Sequence, residues 1–360
     1  MCLLAVKSVL GDRALEWDRL AAAAPLPSPF LRSWWLTAMS GPRSRFLLVL
    51  EGDRLLGGLA VDVGRYAGLP VVRPLGADGL APDHLDLLAV PGREREVQAA
   101  LRRWLSRPGS RLVDFPGVDE GSRLADLLGP RVTSVEIEQA PWVPLPPDFA
   151  SFSATVLPGI MRNSIRRSGN KLAKNGEVVF RPLGPDDPAL EPTLARLRDL
   201  HAAQFGADSG LVRHFTRFSA AAAAGLERNE MKIFPLYVGG EIAAVDVAFS
   251  VAGRFIYYSG GRSTAAEHSG AGTIVMARGV EWACSTGHTE ADYLRGSEPY
   301  KQAWTDRRRP VLHLRAGFGP GGVLAKQALE LREDERVRRY GRRVRDVLRR
   351  PSEKKPKGSA

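Results

Sequence analysis

The sequence predicts an α+β protein of two similar units, each a mixed central sheet flanked by helices, with a long basic helix at the C-terminal end. Three observations carry that expectation. One hairpin turns at Glu51-Gly52-Asp53 and another at Gly239-Gly240, turn pairs that suit a two-strand reversal. Each hairpin is followed by more strand, then a helix, then strand again. A cluster of prolines separates the two runs, and 360 residues is a natural length for two domains.

The elements follow in order. Arg45 to Leu50 and Leu55 to Val63 are apolar runs on either side of the first turn. Further strands are expected near Val71 to Leu75 and Leu85 to Ala89. Glu94 to Leu105 places Val97, Leu101, Trp104 and Leu105 on one helical face. Arg111 to Phe115 reads as a strand. Pro141, Pro144, Pro146 and Pro147 are poor members of a helix or central strand, so this passage is expected to be a linker or domain crossing. A basic helix from Gly159 to Lys174 stops at Gly176, and a strand runs from Val178 to Arg181. Helices are expected over Leu190 to Phe205 and Leu211 to Leu226. Met231 to Val238 and Glu241 to Ser250 form the second hairpin, and Arg254 to Gly260 adds a strand. Thr273 to Thr286 is a helix, Ala291 to Leu294 and Val311 to Arg315 are strands, and Leu324 to Leu348 is the terminal helix. The expected boundaries are 1–145, 146–320 and a basic helix with a disordered tail over 321–360.

Composition narrows the class. The chain is 44% hydrophobic and 25% charged, ordinary for a globular protein. Cys2 and Cys284 are its two cysteines, neither a disulfide framework nor a metal-ligand spacing, which favours a reducing, cytoplasmic setting. The first residues lack a basic leader and a cleavage site, and no apolar run is long enough for a membrane span. The net charge is +11, and much of it lies in residues 331–360, with twelve Lys or Arg against five Asp or Glu. Such a tail is either a solvated helix end or a peripheral contact for an anionic partner.

Candidate chemistry concentrates between Arg254 and Trp304. The strand RFIYYSGG leads to STAAEHSGAG, and a helix begins at once. A Gly-rich turn opening a helix leaves unpaired N–H groups at the positive end of the helix dipole, which suits phosphate or carboxylate. By pattern alone it is equally a plain strand-to-helix loop. Ser269, Gly270, Ala271, Gly272 and Thr273 are the candidate donor contacts, with Thr273 able to cap. The next strand runs through Asp292 into Arg295, Gly296, Ser297, Glu298, Pro299, Tyr300 and Lys301. Polar side chains just past a strand end are well placed for catalysis. Tyr300 and Lys301 donate protons, Glu298 accepts one, and Lys301 or Arg295 stabilises developing negative charge. On the basic helix, Arg162, Arg166 and Arg167 have no intervening acid, so the helix reads as an anion-binding wall or as a solvated face. Tyr258 and Trp304 complete the set of candidate substrate contacts. The six scattered histidines make a metal site unexpected; His84, beside Asp83, reads as a satisfied structural histidine rather than the lining of an acceptor cleft.

Residues 162 to 315 resemble the acetyltransferase domain of the GNAT superfamily, in its BioF2-like (CelD-like) branch associated with exopolysaccharide genes, and are similar to FemAB peptidyltransferases. The resemblance rests on RNSIRRSGNKL, on SGAGT, and above all on LRGSEPYKQAW, which follows the branch's L-R-G-x-E-P-Y-K-x-x-W pattern. PFLRSWWL and RPLGADGLAPDHLDLLA also resemble it. It implies tandem GNAT domains, the first degenerate and on the acceptor side, the second holding acyl-CoA (acetyl or longer) against SGAGT. Glu267 stands where many GNAT enzymes carry Gln or Arg, a departure at the pyrophosphate contact. In FemAB relatives the donor is aminoacyl-tRNA, and the lysine matching Lys301 contacts a phosphorylated acceptor.

The resemblance implies direct attack by an amine, or a hydroxyl, of a small-molecule, sugar or lipid acceptor on a thioester of CoA or acyl-carrier protein. Glu298 or Asp292 would be the base, and Tyr300 would protonate the thiolate. Lys301 and Arg295 would hold the oxyanion or an anionic acceptor. The alternatives are an aminoacyl-tRNA-dependent ligase and a non-catalytic nucleic-acid or scaffold protein using the basic tail. Basic and aromatic residues do not alternate as in RNA-binding surfaces, which weighs against the last.

Overall fold

The computed structural model describes residues 2–296 and 298–348. In the first half, β1 (Leu3–Lys7) leads to α1 (Ala14–Ala22) and α2 (Ser33–Met39). The hairpin β2 (Ser44–Glu51) and β3 (Arg54–Tyr66) follows, then β4 (Leu69–Pro74), α3 (Ala77–Leu80), β5 (Leu88–Ala89), α4 (Glu94–Leu105) and β6 (Arg111–Asp119). The chain continues through α5 (Leu124–Leu128) and β7 (Thr133–Pro144) to α6 (Phe149–Thr155) and α7 (Gly159–Leu172). The second half repeats the plan. It runs through β8 (Val178–Phe180), α8 (Leu190–Phe205), α9 (Gly210–Arg213) and α10 (Phe215–Glu227) to the hairpin β9 (Met231–Val238) and β10 (Glu241–Val251). Then come β11 (Arg254–Arg262), α11 (Ala271–Ser285), β12 (Glu290–Asp292), α12 (Pro299–Gln302), β13 (Arg308–Phe318) and α13 (Gly319–Leu348).

The strands form one continuous sheet in the order β1-β2-β3-β4-β6-β13-β7-β12-β11-β10-β9-β8. Read from either edge, the order is the same: hairpin, third antiparallel strand, then a parallel strand reached through a helix. β4 pairs parallel with β6, and β11 pairs parallel with β12. The two halves trade their last strands. β13, from the end of the chain, pairs with β6, while β7 pairs with β12. The expected pair of like units is therefore present, joined by reciprocal strand exchange.

Three expectations need correction. The proline passage, expected as a linker or domain crossing, is partly strand: Pro141 and Pro144 lie within β7, paired with β13 and β12, while Pro146 and Pro147 lie in the connection from β7 to α6. Pro141 supplies a carbonyl to Tyr293 N–H at 2.9 Å, a role that needs no N–H of its own. The expected helix from Leu211 to Leu226 breaks at His214 into α9 and α10. Gly79 of α3 lacks the side chain that would collide with the His214 ring, so the break docks the second half on the first. Of the strand expected over Leu85 to Ala89, only Leu88–Ala89 pairs with β3, while Leu85 bridges to Val118. The terminal helix begins at Gly319; residues 349–360 of the expected tail lie outside the described residues.

One hydrophobic core spans both halves. Phe30 and Trp35 pack edge-on against Phe249 of β10 at 5.6 and 5.7 Å between ring centres. The same core takes in Leu197 and Leu200 of α8. On the other side of the second-half sheet, a separate core gathers α11 with Phe234, Ala244, Tyr257 and Trp304. Thus α8 and α11 cover opposite faces of the sheet around β10 and β11.

A buried ion cluster holds the seam. Asp292, at the end of β12, meets Arg254 at 2.8 Å, Arg309 at 2.9 Å and His84 Nε2 at 3.1 Å. Burial alone would lower the proton affinity of His84, but the Asp292 charge overrides it and raises the pKa to about 9. A group raised on folding stabilises fully below its unfolded pKa and loses that contribution as pH climbs through its folded value. Stability is therefore expected to fall by about 3 kcal/mol between pH 6.5 and 9. Urea denaturation across that range should show the decline in the native chain and a flatter profile in His84→Gln.

Candidate active site

β12 pairs with β11 only from Arg254 to Ile256, yet β11 continues to Arg262. Beyond Ile256 its edge has no neighbouring strand among the described residues, and the gap opens a cleft of about 490 Å³. At that edge the Gly260 carbonyl accepts a hydrogen bond from His201 Nδ1 of α8 at 3.0 Å. Because α8 and α11 lie on opposite faces and both line the cleft, the opening passes through the sheet. A bulge between Val247 and Ala248 leaves Tyr258 as the extra residue in β11, which brings both Tyr257 and Tyr258 to the cleft.

The mouth of α11 forms one wall. Gly270 is its N-cap, at φ +98°, and no side chain caps it. Thr273, expected as a cap, sits inside the first turn, where its N–H bonds back to the Gly270 carbonyl at 3.1 Å. The N–H groups of Ala271 and Gly272 face no protein acceptor among the described residues. Gly270 and Gly272 are there for close approach. A Cβ at 270 would lie 2.7 Å from the Ser168 Cβ of α7, and one at 272 would lie 3.0 Å from the Arg262 Cδ. Free amides and the helix dipole, with Arg262 alongside, are groups whose chemistry suits an anion.

The loop after β12 forms another wall. Leu294, at φ +54°, and Gly296, at φ +141°, bend it sharply. Lys301 is buried and donates to the Arg295 carbonyl at 2.8 Å, with Glu298 at 3.3 Å. An ammonium has three donors. Tyr257 donates to Asp246 at 3.4 Å, and the Tyr300 hydroxyl lies beside that of Tyr257. Burial raises the proton affinity of Tyr300, and burial pushes the Asp246 carboxyl well up too. In both groups burial favours the protonated form. Trp304 is buried, packs tilted against Tyr293 at 6.0 Å between ring centres, and lines the cleft.

The structure thus brings Gly270, Gly272, Thr273, Tyr258, Glu298, Tyr300, Lys301 and Trp304 to one cleft. Others fall elsewhere. Asp292 is fully buried, and Arg254, Arg309 and His84 hold its carboxyl far below the usual range, so it is a pillar of the seam and no base. Arg295 is occupied by Asp83 at 2.6 Å and the Pro82 carbonyl at 2.9 Å; it clamps the two halves and stays out of the cleft. Arg162 donates to the Ser153 and Leu157 carbonyls, tying α7 to the end of α6. Arg166 and Arg167 are exposed on α7, outside the cleft lining. Ser269 and Ala271 lie beside the lining, with Ala271 buried, and Ser297 lies outside the described residues.

Sequence reasoning passed over His201, Asp246, Tyr257 and Arg262. Asp246 had a signal: it is an acid in the middle of EIAAVDVAFSV, with an otherwise unbroken apolar run from Ile242 to Phe249 around it. His201 had none, because its partner is a carbonyl 59 positions away. Among the described residues, Cys2, Glu51 and Glu96 bring potential metal ligands within 4.8 Å. Arg93 already bridges both carboxylates, at 2.9 Å to Glu51 and 2.6 Å to Glu96.

Comparison with known proteins bears on this cleft. Residues 160–302 match the family described as an acetyltransferase (GNAT) domain. Among solved structures, FemX superposes with a TM-score of 0.62 at 11% identity, over 84% of this chain and 95% of FemX. The C-terminal domain of a putative lysylphosphatidylglycerol synthetase from Agrobacterium fabrum gives 0.56 at 12% identity, over 89% and 93%. A tandem GNAT protein from the clavulanic acid biosynthesis pathway gives 0.51 at 14% identity, over 89% and 99%. No curated protein matches the sequence.

The α11 mouth yields a direct expectation. Gly270→Ala adds a Cβ where backbone φ is +98° and Ser168 is already in place, so it should cost about 1–3 kcal/mol. Chemical denaturation should show that loss, with Gly206→Ala, which meets nothing within 4 Å, as the control for φ alone.

Proposed function

We propose that the chain, whose residues 160–302 match the acetyltransferase (GNAT) domain family and whose fold is like that of FemX and a tandem GNAT protein, moves an acyl group from a coenzyme A thioester to an amine. The observation that carries this reading is the cleft through the sheet, which joins the amides of α11 to the Tyr300–Lys301 pair. A phosphorylated donor would enter on the α11 face, with its phosphates on Ala271, Gly272 and Arg262. Its pantetheine amides would lie along the open edge of β11, where free backbone groups add a strand-like partner. The acceptor would come from the α8 face. Both reactants would meet at Gly260, held in line so that attack is effectively unimolecular.

The roles divide by position. Tyr300 keeps its proton and offers it, as a hydrogen-bond donor, to the departing sulfur, supported by Tyr257 and Asp246. Lys301, held by Glu298 and the Arg295 carbonyl, stabilises the oxyanion or an anionic group of the acceptor. The first half, through Tyr258 (which donates to the Leu80 carbonyl at 3.1 Å), borders the acceptor side. Sugar, lipid and other small amines fit this scheme, and a carrier-protein thioester would present the same pantetheine arm.

A second reading is an aminoacyl-tRNA donor. Arg166, Arg167, Lys171 and Lys174 of the α7 region are exposed and make no ion pair among the described residues, a surface that suits a phosphate backbone. The likeness to FemX supports it.

Thermal melting separates the two. Coenzyme A and acetyl-CoA are expected to raise the melting temperature, since a ligand bound only by the native state stabilises it, and transfer RNA to leave it unchanged. A rise with transfer RNA alone, suppressed by salt, would favour the second reading. With acetyl-CoA and an amine that is turned over, Tyr300→Phe is expected to lower kcat by about 10-fold to 1000-fold with KM little changed, measured by thiol release.

A further inference from the structure

The amine must lose a proton when it attacks, and the acidic groups do not answer for it. Glu298 is paired with Lys301 at 3.3 Å, Asp292 is sealed in the seam, and Asp246 is buried behind the Tyr257 hydroxyl, from which it accepts a hydrogen bond. His201 is different. It sits on α8, its ring packed against Phe205 one helical turn on at 4.6 Å. A carbonyl oxygen only accepts, so the 3.0 Å contact with Gly260 fixes the proton of His201 on Nδ1. Nε2 then carries the lone pair; it makes no hydrogen bond among the described residues, and His201 lines the cleft.

We propose that His201 Nε2 is the general base that takes the proton of the acceptor amine. The proposal rests on the acyl-transfer reading above. The geometry splits the two proton tasks between the two faces of the sheet. Tyr300, with Tyr257 behind it, serves the departing sulfur on the α11 face, and His201 serves the nucleophile on the α8 face. Gly260 lies between them: its carbonyl holds His201, while on the α11 side a Cβ at that position would meet the Tyr257 hydroxyl at 2.8 Å.

In the step, the amine nitrogen forms the C–N bond as the thioester C–S bond breaks. The nitrogen's proton passes to His201 Nε2, the electron pair of the C–S bond leaves on sulfur, and the thiolate is received by the Tyr300 hydroxyl. Nε2 then returns its proton to solvent, from which the thiolate gains one. The products are an amide and a free thiol, with no oxidant or reductant.

Burial lowers the proton affinity of His201, partly opposed by the Gly260 hydrogen bond, so the ring is neutral at pH 7 and ready to accept. The charged or titratable groups that share the cleft with it are Arg262, Glu298, Lys301, Asp246, Tyr257, Tyr258 and Tyr300.

Two measurements test this. Nitrogen-15 NMR of the histidines in the full chain is expected to show His201 neutral at pH 7 as the Nδ1–H tautomer. An Nε2–H tautomer, or a charged ring, would overturn the proposal whether or not turnover is seen. The second measurement uses acetyl-CoA with an amine that the native chain acetylates. His201→Asn keeps a donor near the Nδ1 position toward Gly260 but has no Nε2. It is expected to lose about 100-fold or more in kcat, to lose the acid limb of the pH–rate profile, and to bind acetyl-CoA as tightly as before. Wild-type turnover and pH profile in His201→Asn would overturn the base while leaving acyl transfer standing. Absence of transfer by the native chain to any amine, with acetyl-CoA bound, would overturn both.

Discussion

The end of β12 at Asp292 is the constraint on which the site depends. Its carboxylate accepts from Leu294 N–H at 2.8 Å while gripping Arg254, Arg309 and His84. Strand pairing with β11 stops there, and the chain turns away through Leu294 and Gly296 toward Lys301. The open edge of β11, the cleft and the placement of Tyr300 all follow from that one turn. Burying several charges together is costly unless each is matched, and here each cation finds a carboxylate. The cluster joins residues from both halves, so the opening in the second half is set partly by the first.

The two halves share a plan but not a cavity. Where β11 and β12 part, the second half is open. In the first half, β4 and β6 pair at Val71 and Val72 with Leu112 and Val113, and the segment at Leu85 then bridges to Val118 of β6. The matching space is reduced to about 20 Å³ lined by Trp17, Phe30, Leu31 and other apolar chains. α4, the counterpart of α11, has Arg93 at its N-cap where α11 has Gly270. Duplicated topology has produced one half that holds a cleft and one half that packs against it, with Phe30 and Trp35 reaching across to Phe249.

Much of this was legible in the sequence because the signals were local. Period-3.6 spacing gave the helix Glu94–Leu105 to the residue, and turn pairs gave both hairpins. LRGSEPYKQAW and SGAGT carried the likeness to GNAT domains, and both reach the same cleft. What was illegible was non-local. The prolines of β7 obey a strand because β13 and β12 need their carbonyls. Asp292 and Arg295 looked like catalysts, since both are charged and follow a strand, but their partners, Arg254, Arg309, His84 and Asp83, come from distant segments. His201 was silent for the same reason.

The central claim is that a thioester lies between the α11 mouth and the open edge of β11. Amide hydrogen exchange with and without saturating acetyl-CoA tests it most directly. The account predicts slowed exchange confined to residues 257–262 and to the first turn of α11, with the seam strands β7 and β13 unchanged. Protection that misses both segments, or that maps to the first half alone, would contradict it.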